Sequence, residues 1–225
     1  MSFVIEGRGG GLRLIAVAAV AVVAATIGTA CDNVTNPSTA GVDTLYATSF
    51  WSGTLASDGL GNYNFFDSSD VAVGDLDALL NGETIRGLVI FDIAAYATSD
   101  SVESATLRVD ECAVSGTPFA SFGTVVVDHL SPSPPSPGLY AGGTTGSNIG
   151  TISSDTLMGY HSLAVDSAAQ HDVTAGLTYS TWRLRFSTED GNANGVSDYV
   201  AFRGIKTGVC TGSSSRLPAL IITTK

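Results

Sequence analysis

Positive charge is scarce in this chain. Its 225 residues hold 10 Lys and Arg against 21 Asp and Glu, a formal net charge of −11. Binding a phosphate backbone relies on clustered Lys and Arg, so nucleic acid is not an expected partner. Charged residues of either sign make up 14%, too few for a long solvated helix or coiled coil. Hydrophobic residues make up 44%, too many for a disordered acidic tail. Catalytic signatures are missing as well: there is no G-x-S-x-G elbow, no H-E-x-x-H and no phosphate-binding loop. Two of the three histidines, His129 and His171, stand beside an aspartate, but neighbours on a strand point to opposite faces, so neither dipeptide is a dyad. A non-catalytic protein is the expectation; catalysis would need His161 or His171 to meet carboxylates in a cleft.

The N-terminus differs from the rest. Arg8 and Arg13 precede a run from Leu14 to Gly28, LIAVAAVAVVAATIG, followed by Thr29, Ala30 and Cys31. A basic start, a short apolar core and small residues at the cut make an export signal. The run is also short for a membrane span, which takes about 20 residues. Ile27 to Cys31 resembles the lipobox of bacterial lipoproteins, with Gly28 where that motif carries a large aliphatic residue. The resemblance implies lipidation of Cys31 and anchoring in a membrane, firm only where several acyl chains are attached; the alternative is an ordinary secretory signal cut near Ala30. Residues 1–31 are therefore a signal segment and residues 32–42, DNVTNPSTAGV, a tether. The expected location is the bacterial cell envelope or surface. In an oxidising compartment Cys112 and Cys210 are an even pair, and a disulfide is the default. It would be worth about 4 kcal/mol in the chain-entropy model.

From Asp43 to the C-terminus, short strand-like runs alternate with Gly, Asn, Ser and Pro. Ala105, Leu107 and Val109 alternate with polar neighbours, as do Trp182, Leu184 and Phe186 with Arg183 and Arg185. Such period-two patterning predicts sheets with one buried and one wet face. Leu88–Phe91 and Leu220–Ile222 are apolar on both faces and read as central strands; residues 71–73, 125–127 and 200–202 add three more. Short helical turns are expected at Asp75–Leu80 and Val173–Leu177. Residues 131–148, with four prolines and four glycines, read as an exposed loop. The fold class that follows is all-β, a single antiparallel sandwich of jelly-roll type spanning 43–225.

Four motifs then fall in order: IRGLVIFDI at 85–93, SVESATLRV at 101–109, HDVTAGL at 171–177 and RLPALIIT at 216–223. Their order resembles the DNRLRE family of extracellular bacterial β-sandwich domains, from which Leu217, between Arg216 and Pro218, departs. The resemblance implies a surface-exposed sandwich related to modules that bind polysaccharides such as alginate, and it carries no catalytic residue across. Read locally, Asp92 accepts backbone N–H bonds at a strand end, and Asp172 and Thr174 cap a turn.

Three features are candidate sites. Arg108, Arg183, Arg185 and Arg203 would form a guanidinium patch if their strands are neighbours, suited to the carboxylates of an acidic polysaccharide. Pairing with Asp110, Glu111 or Glu189 is the structural alternative. Trp51 stands in an aromatic-rich stretch (Tyr46, Phe50, Tyr63, Phe65, Phe66) and is the candidate for stacking on sugar. Asp190, Asn192 and Asn194, with the Val196 carbonyl and Asp198, follow the first half of a calcium loop, although position twelve is Ala201 rather than Glu. The same residues also suit a plain turn. The functions expected are polysaccharide binding or surface adhesion by an exported protein, or a purely structural envelope role stabilised by the disulfide and Ca²⁺.

Overall fold

A computed structural model describes residues 41–46, 51–66, 70–76, 83–96, 98, 100–189, 195–205, 210 and 216–225. All lie in one compact unit, Val34–Lys225. The signal segment, Cys31, residues 32–40 of the tether and most of the helical turn expected at Asp75–Leu80 fall outside the described residues.

Twelve strands dominate the described residues: β1 (Gly41–Tyr46), β2 (Gly53–Ser57), β3 (Tyr63–Phe66), β4 (Asp70–Asp75), β5 (Thr84–Asp92), β6 (Val102–Ser115), β7 (Val125–Leu130), β8 (Thr144–Ser153), β9 (Gly159–Ala164), β10 (Tyr179–Phe186), β11 (Tyr199–Arg203) and β12 (Ala219–Thr224). Among the described residues two short helices interrupt them, α1 (Pro118–Phe122) and α2 (Asp166–Thr174). The pairings are antiparallel, in the order β1-β12-β6-β11-β4-β5-β10-β7-β8, with β2 between β3 and β5 and β9 on β6. The sheet curls on itself, and the fold is the expected all-β, sandwich-like single domain.

Period-two alternation builds the core. Val89, Phe91, Trp182, Leu184, Phe186, Val125 and Val127 come from one side. Leu107, Val109, Val200, Phe202, Leu220 and Ile222 come from the other, and together they form one buried cluster. Trp182, Phe91 and Phe202 are 0% exposed. Each such side chain removed from water contributes roughly 1.5–3 kcal/mol. Gly87 sits where β5 crosses this core: a Cβ there would lie 2.5 Å from a Val71 methyl, so no larger residue fits without displacing it.

The outer face of β10 is not wet, contrary to its alternating pattern. A second cluster of Leu55, Leu88, Ile90, Leu130, Leu139 and Tyr140 covers β5 and β10 from outside. Leu139 and Tyr140 come from a 3₁₀ turn, Pro137–Tyr140, inside the Pro/Gly-rich segment. That segment is largely exposed, yet it lays these two side chains on the sheet. The double covering of Leu88–Phe91 is the central-strand environment its sequence predicts: Leu88 and Ile90 face out, Val89 and Phe91 in.

Candidate functional site

The four arginines of the expected patch separate into two clusters, because β10 and β6 are not neighbours in the sheet. The first is centred on Asp128 of β7. Arg183 stands directly opposite it across the β10–β7 ladder. Its Nε and Nη2 donate to Asp128 Oδ2 at 3.1 and 2.7 Å, and its Nη1 donates to the carbonyls of Leu139 and Tyr140 at 2.9 and 2.7 Å. Arg185 donates to the same carboxylate, as does the Asn148 N–H at 2.8 Å. Burial opposes ionisation of Asp128, but these donors outweigh it and hold its carboxyl below the usual range. Arg86 joins from β5, pairing with Glu189 and lying 4.1 Å from the Tyr140 ring centroid. Arg183 is therefore an internal brace that holds the 3₁₀ turn to the sheet, and Arg185 shares its carboxylate without touching the turn.

The second cluster surrounds Asp110 of β6, which is fully buried. Arg203 Nε donates to it at 2.9 Å while Arg203 Nη1 donates to the Cys210 carbonyl at 3.0 Å. Arg216 Nη1 lies 3.5 Å from the other Asp110 oxygen, its side chain 48% exposed. Arg108 differs from the rest. Its guanidinium rests 4.7 Å from the ring centroid of Tyr160, with Arg216 at 5.4 Å from the same ring. Among the described residues it has no carboxylate or hydrogen-bond partner, and its Nε is sealed from solvent. Tyr160 is 45% exposed, next to exposed Leu157 and Met158. Neither Tyr160 nor Arg216 was among the sequence candidates. The signal for Tyr160 was present in the alternation of Tyr160, Ser162 and Ala164 with His161 and Leu163 along β9, whose exposure follows the same period.

Trp51 is not a free platform: it stacks on Tyr179 with ring centroids 4.6 Å apart and packs against the outer cluster. Cys112 and Cys210 are joined as expected, with Cα atoms 5.6 Å apart. Of the calcium-loop residues, Asp190, Asn192 and Asn194 lie outside the described residues. Val196 is exposed, and the Asp198 carboxylate accepts from the Thr117 N–H at 2.6 Å and the Ser121 hydroxyl at 3.3 Å. Among the described residues no group of three or more His, Cys, Asp and Glu is placed to hold a metal ion.

The histidines do meet carboxylates, through tertiary contacts. His161 Nε2 lies 3.3 Å from Glu111 Oε2, which also accepts from the Ser153 hydroxyl at 2.7 Å. Burial pushes the Glu111 carboxyl above its usual value, with Ser153 and His161 only partly offsetting it. His129 Nε2 lies 2.9 Å from Asp172 Oδ2 across 43 residues of sequence. Asp172 is thus a partner for β7 rather than the turn cap expected of it. Asp92 does accept the Ala94 N–H at 2.9 Å, as expected.

No family model and no curated protein matches the chain.

Proposed function

We propose that the chain is an exported cell-envelope protein, lipid-anchored through Cys31, whose β-sandwich binds an acidic polysaccharide on the face formed by Tyr160, Arg108 and Arg216. One observation carries the reading: Arg108 has no carboxylate or hydrogen-bond partner among the described residues, and its guanidinium lies 4.7 Å from the centroid of a half-exposed aromatic ring. A guanidinium donates to a carboxylate in a two-pronged, planar manner, and the half-exposed Tyr160 ring supplies an aromatic surface beside it for a sugar. In a chain this acidic, a surface with more guanidinium than carboxylate stands out against its surroundings.

The test is retention of the mature domain on immobilised acidic and neutral polysaccharides, with Ca²⁺ and with EDTA. The expected result is salt-sensitive retention on an acidic polymer that disappears in Arg108→Ala and Tyr160→Ala. Loss with EDTA would instead assign binding to a Ca²⁺ held by Asp190–Asp198. A second reading, a structural envelope sandwich without a sugar ligand, draws support from the engagement of Arg183, Arg185 and Arg203 in internal pairs and of Trp51 in a stack. It stands if nothing on the panel is retained.

A further inference from the structure

We propose that Thr145, His129 and Asp172 form an acyl-transfer site that cleaves carboxylic esters. The inference is independent of polysaccharide binding and rests on three segments that no sequence motif connects. Asp172 of α2 is 1% exposed, and its Oδ2 lies 2.9 Å from His129 Nε2. An ionised carboxylate only accepts, so in the neutral ring the hydrogen resides on Nε2 and Nδ1 is left with a free lone pair. Thr145 Oγ1 lies 2.7 Å from that Nδ1, also within 3.2 Å of the His129 carbonyl. Its hydroxyl is thereby poised to lose a proton to the imidazole, the arrangement that activates a hydroxyl nucleophile. Trp182 packs on the imidazole at 4.8 Å between centroids and fixes the ring, while the second Asp172 oxygen lies 3.4 Å from His171 Nδ1.

The strand pairing explains how Thr145 reaches this position. His129 pairs with Gly146 and Leu130 with Thr144, so Thr145 is the extra residue of a β-bulge. A bulge re-aims a side chain and disrupts the ladder around it. Thr145 is also exposed, and Gly142, Gly143 and Gly146 are its near neighbours in the chain, with the Ile149 side chain 3.0 Å from where a Gly146 Cβ would stand. The hydroxyl stands at the surface, where an ester can reach it from solvent.

In the reaction, Thr145 Oγ1 adds to the ester carbonyl carbon as its proton passes to His129 Nδ1. Asp172 stabilises the imidazolium through Nε2–H. The carbon–oxygen bond to the alcohol breaks, and the departing oxygen takes the proton from Nδ1. Water, deprotonated by His129, then cleaves the acyl-threonine, so ester and water become acid and alcohol and the hydroxyl is regenerated.

The probe is p-nitrophenyl acetate, with p-nitrophenolate release followed by absorbance and acetylation mapped by peptide mass. Release by the wild-type protein should exceed that of Thr145→Val by about 100-fold, Thr145→Ser should retain activity, and a transient acetyl group should map to Thr145. Matching thermal melts keep the comparison between folded proteins. Equal release by wild type and Thr145→Val, or acetylation only at other residues, would overturn the proposal and leave the three residues as a tie between β7, β8 and α2.

Discussion

Asp128 Oδ2 accepts from both Arg183 and Arg185, with Arg183 Nη2 at 2.7 Å and Arg185 Nε at 2.8 Å, while Arg185 Nη2 also reaches Oδ1 at 3.2 Å. Two guanidiniums that a linear reading places on a wet face thus depend on a single carboxylate that is 0% exposed. The arrangement also positions Tyr140, whose carbonyl accepts from Arg183 and whose ring carries Arg86. A basic stripe in the sequence has become the attachment of a loop.

Removing one partner of a buried ion pair leaves the other uncompensated. Asp128→Asn should therefore destabilise the domain by about 3 kcal/mol. Arg185→Met, whose side chain is 17% exposed, should cost less than Arg183→Met, at 5%. Urea unfolding of the three variants checks the order.

Two buried carboxylates should give opposite pH slopes. Asp128 is held below its ordinary value of 3.8, so its contribution is present above that pH and is lost as pH falls through the folded-state value. Glu111 is held above its ordinary 4.5, so the native state keeps its proton more tightly than the unfolded chain. Its contribution is full below 4.5 and is lost as pH rises through the folded-state value. Glu111→Gln should flatten the decline on the alkaline side and be the more stable protein at neutral pH. Unfolding free energies measured from pH 3 to pH 8, a span of about five units, would show the two slopes separately.

Gly74 adopts φ +135°, and a Cβ there would lie 2.2 Å from the Asp198 carbonyl and 2.7 Å from Tyr199 Cα. Both atoms belong to backbone that cannot step aside. Gly74→Ala should destabilise by more than about 2 kcal/mol, whereas Gly59→Ala, at φ +71° with open space around it, should cost only about 1 kcal/mol. Thermal melts of the two variants make the comparison.

The disulfide closes a separation of 98 residues. Cys112→Ser with Cys210→Ser should lower stability by about 4 kcal/mol. The same change should loosen Arg203, whose Nη1 donates to the Cys210 carbonyl, and with it the Asp110 cluster. Denaturant unfolding gives the first effect. The second appears as a fall in retention on acidic polysaccharide under conditions where the variant remains folded.

Much of the fold was legible because alternation is a local property. Along Thr181–Phe186 the chain writes Trp182, Leu184 and Phe186 to one side, and they face the core. Leu88–Phe91, apolar on both sides, is covered on both. The two isolated cysteines were enough to anticipate their bond. Sites were less legible, because they depend on which strands become neighbours. Arg183 was weighed against Asp110, Glu111 and Glu189, and its partner is Asp128, since β7 lies beside β10.

By itself the sequence determined the all-β class, the inward face of most strands and the cysteine pairing, since strand periodicity is local and two cysteines beyond the signal segment leave a single pairing. Only the tertiary structure decided that the arginines divide between Asp110 and Asp128, that Arg108 meets Tyr160, and that His129 meets Asp172 and Thr145. Those contacts join residues far apart in the chain, 93 positions for Arg203 and Asp110. Strand order and a β-bulge bring them together, and no periodicity in the chain encodes either.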